Sequence, residues 1–313
     1  MSKAYIVKKY QHSDSELWNS FVKDSINGTF LFDRDFMEYH HDRFLDYSLM
    51  VFDKQKLIGL FPANSVGAEV HSHQGLTYGG LIISASTGGE KVRDILSSLI
   101  DFFKSHNITT VFVKSIPAFY HTQPAQAFTF FLSEYKTTMY QRDLNLAIDY
   151  RKPLTIHKSK LKHFEKRKEV GFLVKEEENC ADFWNQVLIP RLKEKHNVSP
   201  VHTVDEMMSL KNKFPEEIRQ FTIRLNGQIL AGITVFKTNS VIKSQYGAVT
   251  KEGEKLRALD FLFITLIQKY KKEGYTFFDM GTVTENNFGL LKQKEELGCR
   301  IYTQDFYRLD ISF

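Results

Sequence analysis

Cysteine is scarce: Cys180 and Cys299 are the only two among 313 residues, and no C-x-x-C pair occurs. Neither a disulfide framework nor a cysteine-built zinc site is suggested, and a reducing, cytoplasmic setting is expected. Long apolar runs are missing too. Stretches such as Phe261 to Ile267 are far too short to span a bilayer, and the opening MSKAYIVKKYQHSDSE turns charged too early for a secretory leader. There is no Gly-x-Ser-x-Gly elbow, so a covalent serine mechanism of that type lacks its nucleophile. Nor does one charge dominate. Lys plus Arg number 42 against 37 Asp plus Glu, a net +5, which suits an anionic substrate without marking a dedicated nucleic-acid binder.

What is present is apolar periodicity in a repeated order. Hydrophobic residues make up 42% of the chain, enough to bury a full core, and the length fits one large or two medium domains. Tyr5 to Val7 reads as a strand, and Leu17, Trp18, Phe21 and Val22 fall at helical spacing. Tyr47 to Phe52 and Leu57 to Ala63 predict a hairpin, Gly75 to Ile83 a strand, Gly89 to His106 a helix and Thr110 to Val113 a strand. The order returns later. Phe221 to Leu225 and Gln228 to Phe236 flank Asn226-Gly227, a strong two-residue hairpin signal. A strand at Ile242 to Val249, a helix from about Leu256 to Lys272 and a strand at Tyr275 to Met280 follow. Wording repeats as well: LeuThrTyrGlyGly at 76–80 answers SerGlnTyrGlyAla at 244–248, and GlyGluLysValArg at 89–93 answers GlyGluLysLeuArg at 253–257. A duplicated architecture is expected, with domains at 1–150 and 151–313. Arg142 to Ile148 reads as a closing strand of the first. Lys152 to Lys168 is rich in Lys and Arg, and its Ile156, Leu161 and Phe164 allow a helix with one apolar edge; it reads as a solvated face or an anion-binding arm.

Two copies of hairpin, strand, helix and strand, a Lys-rich segment before the second copy, and the ending FDMGTVTENNFGLLKQKEELG resemble the Fem-type aminoacyltransferases and their relatives in surface-polysaccharide gene clusters. The likeness spans nearly the whole chain. In that family a strand ends in an Asp-x-x-Gly-like polar turn followed by a short helix closing on a Lys-x-x-Phe-Gly-like end; Asp279 and Gly281, then Lys294, Leu297 and Gly298, stand in those places here. The resemblance implies an α/β (α+β) fold of two tandem GNAT-like domains, each a mixed, largely antiparallel sheet flanked by helices. It implies an acyltransferase carrying an acyl or aminoacyl group from acyl-CoA or aminoacyl-tRNA to an amine of a cell-envelope precursor or nucleotide sugar. No tightly bound cofactor is implied. Two departures stand out: no charged helical hairpin is inserted in the second half, and the stretch ThrLysGluGlyGluLysLeuArgAla at 250–258, where GNAT enzymes cradle the coenzyme A pyrophosphate, has one Gly and an intruding Glu. Lys255 and Arg257 are its candidate donor contacts. The rival function is a non-catalytic RNA- or ligand-binding protein on the same duplicated fold.

Such a reaction needs a strand edge that donates to an oxyanion, an acceptor for the amine proton and a donor for the leaving group. Ile242 to Val249 is the candidate central strand, with Tyr246 favoured over Gln245 to point inward and Tyr78 as its counterpart lining a first-domain groove. The polar run where the strand Tyr275 to Met280 ends supplies Asp279, Thr282, Thr284, Glu285, Asn286 and Asn287. Glu285 is the leading proton acceptor and Asp279 the second; Asn287 is also a helix cap, and Lys292 and Lys294 are candidates to neutralise an anion. His71 and His73 project at i and i+2 without a third ligand nearby, His40-His41 reads as surface, and Trp18 and Trp184 read as core anchors. No metal is expected.

Overall fold

The computed structural model of the protein describes residues 3–283 and 287–311. Its packing separates two units, Met1–Asp143 with Thr303–Phe313, and Leu144–Tyr302. In the first, β1 (Ile6–Lys9), β3 (Leu49–Asp53), β4 (Lys56–Phe61) and β7 (Ile82–Ile83) form one antiparallel sheet, and β2 (Leu45–Asp46), β5 (Asn64–Val66), β6 (Glu69–His71) and β8 (Thr110–Lys114) another, with β6 and β8 parallel. The helix Gly89–Ser105 buries Val92, Ile95, Leu96, Leu99 and Phe103, the face its spacing predicts, in the core of this unit. The order β3, β4, β7, helix, β8 is the expected one, with the hairpin β5–β6 inserted.

The strand expected over Gly75 to Ile83 is realised only as Ile82–Ile83. Its glycines serve close approach instead. A Cβ on Gly75 would meet His40 Nε2 at 2.3 Å and one on Gly79 would meet the Ser72 carbonyl oxygen at 1.9 Å, while Gly80 has φ +113°. His40, expected on the surface, is 1% exposed and stacks at 4.9 Å on His73, which is also buried. His71 stacks instead on Phe112 at 4.7 Å.

β9 (Thr137–Asp149) closes the second unit's sheet through its Leu144–Asp149 half. The sheet order is β10 (Leu173–Glu177), β11 (Ile218–Leu225), β12 (Gln228–Lys237), β13 (Val241–Val249), β14 (Phe277–Val283), then β9, antiparallel throughout except for the parallel pair β13–β14. Asn226 and Gly227 both take positive φ, as their turn requires. The helix Ala258–Lys272 packs its apolar side on one face through Leu262, Leu266 and Ile267. Trp184, fully buried like Trp18, sits on the other face. The basic segment forms the helix Lys158–Arg167, whose Phe164 stacks on Phe261 and whose Lys160 pairs with Asp260 at 2.8 Å. The last strand, β15 (Arg300–Asp310), pairs Phe306–Asp310 with β8 in the first unit.

Candidate active site

The parallel ladder between β13 and β14 spans only Val241–Lys243 against Phe277–Asp279. Beyond it β13 runs on to Val249 and β14 to Val283, so the central sheet of the second unit opens into a fork. Irregularity on both arms produces the opening. On β13, Thr234 faces Tyr246 but Val235 faces Ser244, leaving Gln245 as an extra, bulged residue. On β14, Asp279 faces Ala147 and Thr282 faces Asn145, with Gly281 at φ +77° between them.

At the crotch Asp279, 1% exposed, holds Lys243 Nζ at 3.1 Å and accepts the Gly281 N–H at 2.7 Å. A buried carboxylate so engaged is committed to its lysine and its turn rather than poised to take a proton. Lys294, from the last turn of the helix Phe288–Glu296, donates to the Gly281 and Thr282 carbonyls at 3.1 and 3.0 Å. Burial, with Lys243 nearby, pulls its pKa down to about 8 against the opposing pull of Asp279. Asn287 caps that helix, accepting the Leu290 N–H at 3.1 Å. Thr282 and Lys292 are exposed. Thr284, Glu285 and Asn286 lie outside the described residues.

On the other arm Tyr246 is half-buried, edge-on to Trp184 at 4.8 Å, with its hydroxyl 2.6 Å from His202 Nδ1. Burial pushes its phenol up to about 12, partly offset by hydrogen bonds from the His202 backbone and the Gln245 side chain. The Gln245 Oε1 has no hydrogen-bond partner. Sequence reading missed His202 and Lys243, because their partners lie 44 and 36 residues away and no local pattern marks them. Tyr78, expected to line a groove, is a core residue at 1% exposure, bonded to Thr29 at 3.2 Å.

After β13 the stretch 250–258 does not form an open loop. Thr250 caps a short helix, Lys251–Leu256, and Arg257 at φ +54° joins it to Ala258–Lys272. A Cβ on Gly253 would meet the Leu230 carbonyl oxygen at 2.5 Å, so this glycine serves helix–sheet contact rather than a phosphate. Glu254 is ion-paired with Arg191 and Lys195. Lys255 and Arg257 are exposed.

The acetyltransferase (GNAT) domain family matches residues 152–288, the segment that builds the fork. That segment is similar to a GNAT acetyltransferase domain. Solved structures similar in fold extend the likeness to both units. FemX covers 96% of this chain and 96% of its own at 11% identity, TM-score 0.69. L-PGS from Bacillus licheniformis covers 96% and 92% at 14% identity, TM-score 0.64. The tandem GNAT protein from the clavulanic acid biosynthesis pathway covers 99% and 99% at 10% identity, TM-score 0.58. No curated protein matches the sequence. The fold is thus a tandem, Fem-like GNAT fold, and the fork lies within the GNAT-like segment. Among the described residues no helix is long and apolar enough to cross a membrane.

Proposed function

We propose that this protein is an acyltransferase carrying an acyl or aminoacyl group from acyl-CoA or aminoacyl-tRNA to an amine of a cell-envelope precursor or nucleotide sugar. The observation that carries the reading is the fork beyond Lys243 and Asp279, with titratable groups gathered on both arms inside the GNAT segment. A neutral amine attacks the carbonyl carbon; the C–N bond forms, the carbonyl oxygen becomes an oxyanion, and collapse breaks the bond to the donor's sulfur or oxygen. The β13 edge past Lys243 has no ladder to β14, and its backbone N–H groups are the donors assigned to the oxyanion. Tyr246, kept protonated by burial and braced by His202, is assigned proton delivery to the leaving group. Glu285 is assigned the amine's proton. Asp279 holds Lys243 at the crotch and acts electrostatically.

Gln245, Thr282, Asn286, Asn287 and Lys292 are assigned to substrate and Lys255 and Arg257 to donor phosphates, while Lys294, expected to neutralise an anion, instead braces the Gly281 and Thr282 carbonyls. A cationic surface beside Arg257 suits a polyanionic donor: His163, on the helix Lys158–Arg167, is held below its ordinary value by desolvation and by Arg257, Arg167, Lys162 and Lys166. The test is thermal melting with acetyl-CoA and with aminoacyl-tRNA, since a donor that binds the native state raises Tm. Transfer to an amine panel from the stabilising donor follows. Glu285→Gln is expected to cut transfer by roughly two to four orders of magnitude with Tm unchanged; full activity in that variant removes Glu285 as the base.

A further inference from the structure

The first unit holds a cavity of about 210 Å³ whose walls include Asn27, Ser115, His121, Phe128, Asp305 and Tyr307. It lies at the Gly79–Ser115 bridge, where β8 ends beside the segment leading into β7. Two buried atoms there, Ser115 Oγ and His121 Nδ1, have no hydrogen-bond partner. Folded proteins rarely leave such groups dry, so both call for a ligand or water.

The electrostatics narrow the ligand. Among the described residues no Lys or Arg lines the cavity, and its single carboxylate, Asp305, is held by Arg142 at 2.6 and 2.8 Å and by the Tyr307 hydroxyl at 3.3 Å. His121 is uncharged at neutral pH, because burial pulls it down to about 4. The Asn27 amide is spent on Leu81 and Ile83. A phosphate or carboxylate would find no cation, and an ammonium no free anion. What remains are uncharged groups that donate and accept, the Ser115 hydroxyl and His121 imidazole with Gln126, Thr129 and Thr303 beside them, set among the apolar side chains of Leu81, Ile116 and Phe128. The volume equals roughly seven liquid waters, which admits one ring and not a nucleotide.

We propose that this cavity recognises a neutral sugar ring, a hexose or N-acetylhexosamine, through Ser115 and His121. The proposal rests on the reading of a sugar-bearing acceptor and places the uncharged ring of that acceptor in the first unit. Calorimetric titration of the full chain with N-acetylglucosamine and with glucose tests it. Ala118 lines the cavity from an exposed position, so Ala118→Trp plugs the mouth without disturbing the core, as unchanged near-UV dichroism would verify. Saturable millimolar binding is expected in the native protein and none in Ala118→Trp. Ser115→Ala and His121→Phe should each weaken it about tenfold, the loss of one neutral hydrogen bond. The proposal is overturned if neither sugar binds, if binding survives Ala118→Trp, or if inorganic phosphate or lysine fills the site in the sugar's place. No acyl donor takes part, so a failed titration leaves acyl transfer standing, and failed transfer leaves the titration readable.

Discussion

Lys294, a residue 6% exposed, loses part of its preference for the charged state because burial strips water from its ammonium and the two carbonyls it donates to replace that hydration only in part. Its folded pKa of about 8 lies below the ordinary 10.5, so between those values the unfolded chain binds more protons and stability rises with pH. The gain through this lysine alone is on the order of 3 kcal/mol. Lys294→Met should remove that rise, read as the difference in urea-unfolding free energy between about pH 7 and pH 10 for the two proteins. His40 and His73 act at the other end of the scale. Burial first, then Arg43 for His40 and mutual repulsion for His73, lower them from 6.5 to about 4 and about 3, against the opposing pulls of Asp42 and Asp46. The unfolded chain therefore takes up protons first as pH falls below about 6.5, and stability drops until the folded values are passed. His40→Phe, which keeps a ring over His73, should flatten that acid-side loss in urea midpoints measured between about pH 7 and pH 4.5. Equal slopes in both proteins would show that other groups govern acid unfolding.

Elements were legible where local chemistry decided them. Asn226-Gly227 needed no tertiary information: both residues take positive φ, nothing lies within 4 Å of a Cβ on Gly227, and the turn fixes the register Leu225 to Gln228. Gly227→Ala should accordingly cost only about 1 kcal/mol, through φ alone, a small shift in urea midpoint. Gly79→Ala should cost several times more, because its Cβ would fall 1.9 Å from the Ser72 carbonyl oxygen and backbone must move. That contrast explains the missed strand at 75–81: the run is strand-like in sequence, but close contacts of Gly75 with His40 and of Gly79 with Ser72 set its conformation, and spacing along the chain does not encode them. The fork had the same mixed legibility. Asn287 was readable in the sequence as a helix cap. The bulge at Gln245, the Lys243–Asp279 pair and the His202–Tyr246 contact arise from strand register and a distant loop, which spacing along the chain does not encode.

For the whole molecule, duplicated order was written in the chain, but the course of its last strand was not. The second unit is one continuous stretch, Leu144–Tyr302, whereas the first recruits Thr303–Phe313 from the far end. Those residues are structural: Phe306–Asp310 forms a ladder with β8, and Leu309 and Ile311, at 2% and 3% exposure, belong to the first core. Removing two such side chains costs roughly 2–5 kcal/mol each, against a total stability of about 5–15 kcal/mol for a typical domain, and the unpaired edge of β8 adds an aggregation site. A fragment of residues 1–150 should therefore fail to give a cooperative unfolding transition, while a fragment of 144–302, whose core residues all lie within its own span, should unfold cooperatively in urea. Adding residues 303–313 to the first fragment as a separate peptide should restore its near-UV dichroism. If 1–150 folds alone, the terminal strand is an ornament of the first unit and not part of its core.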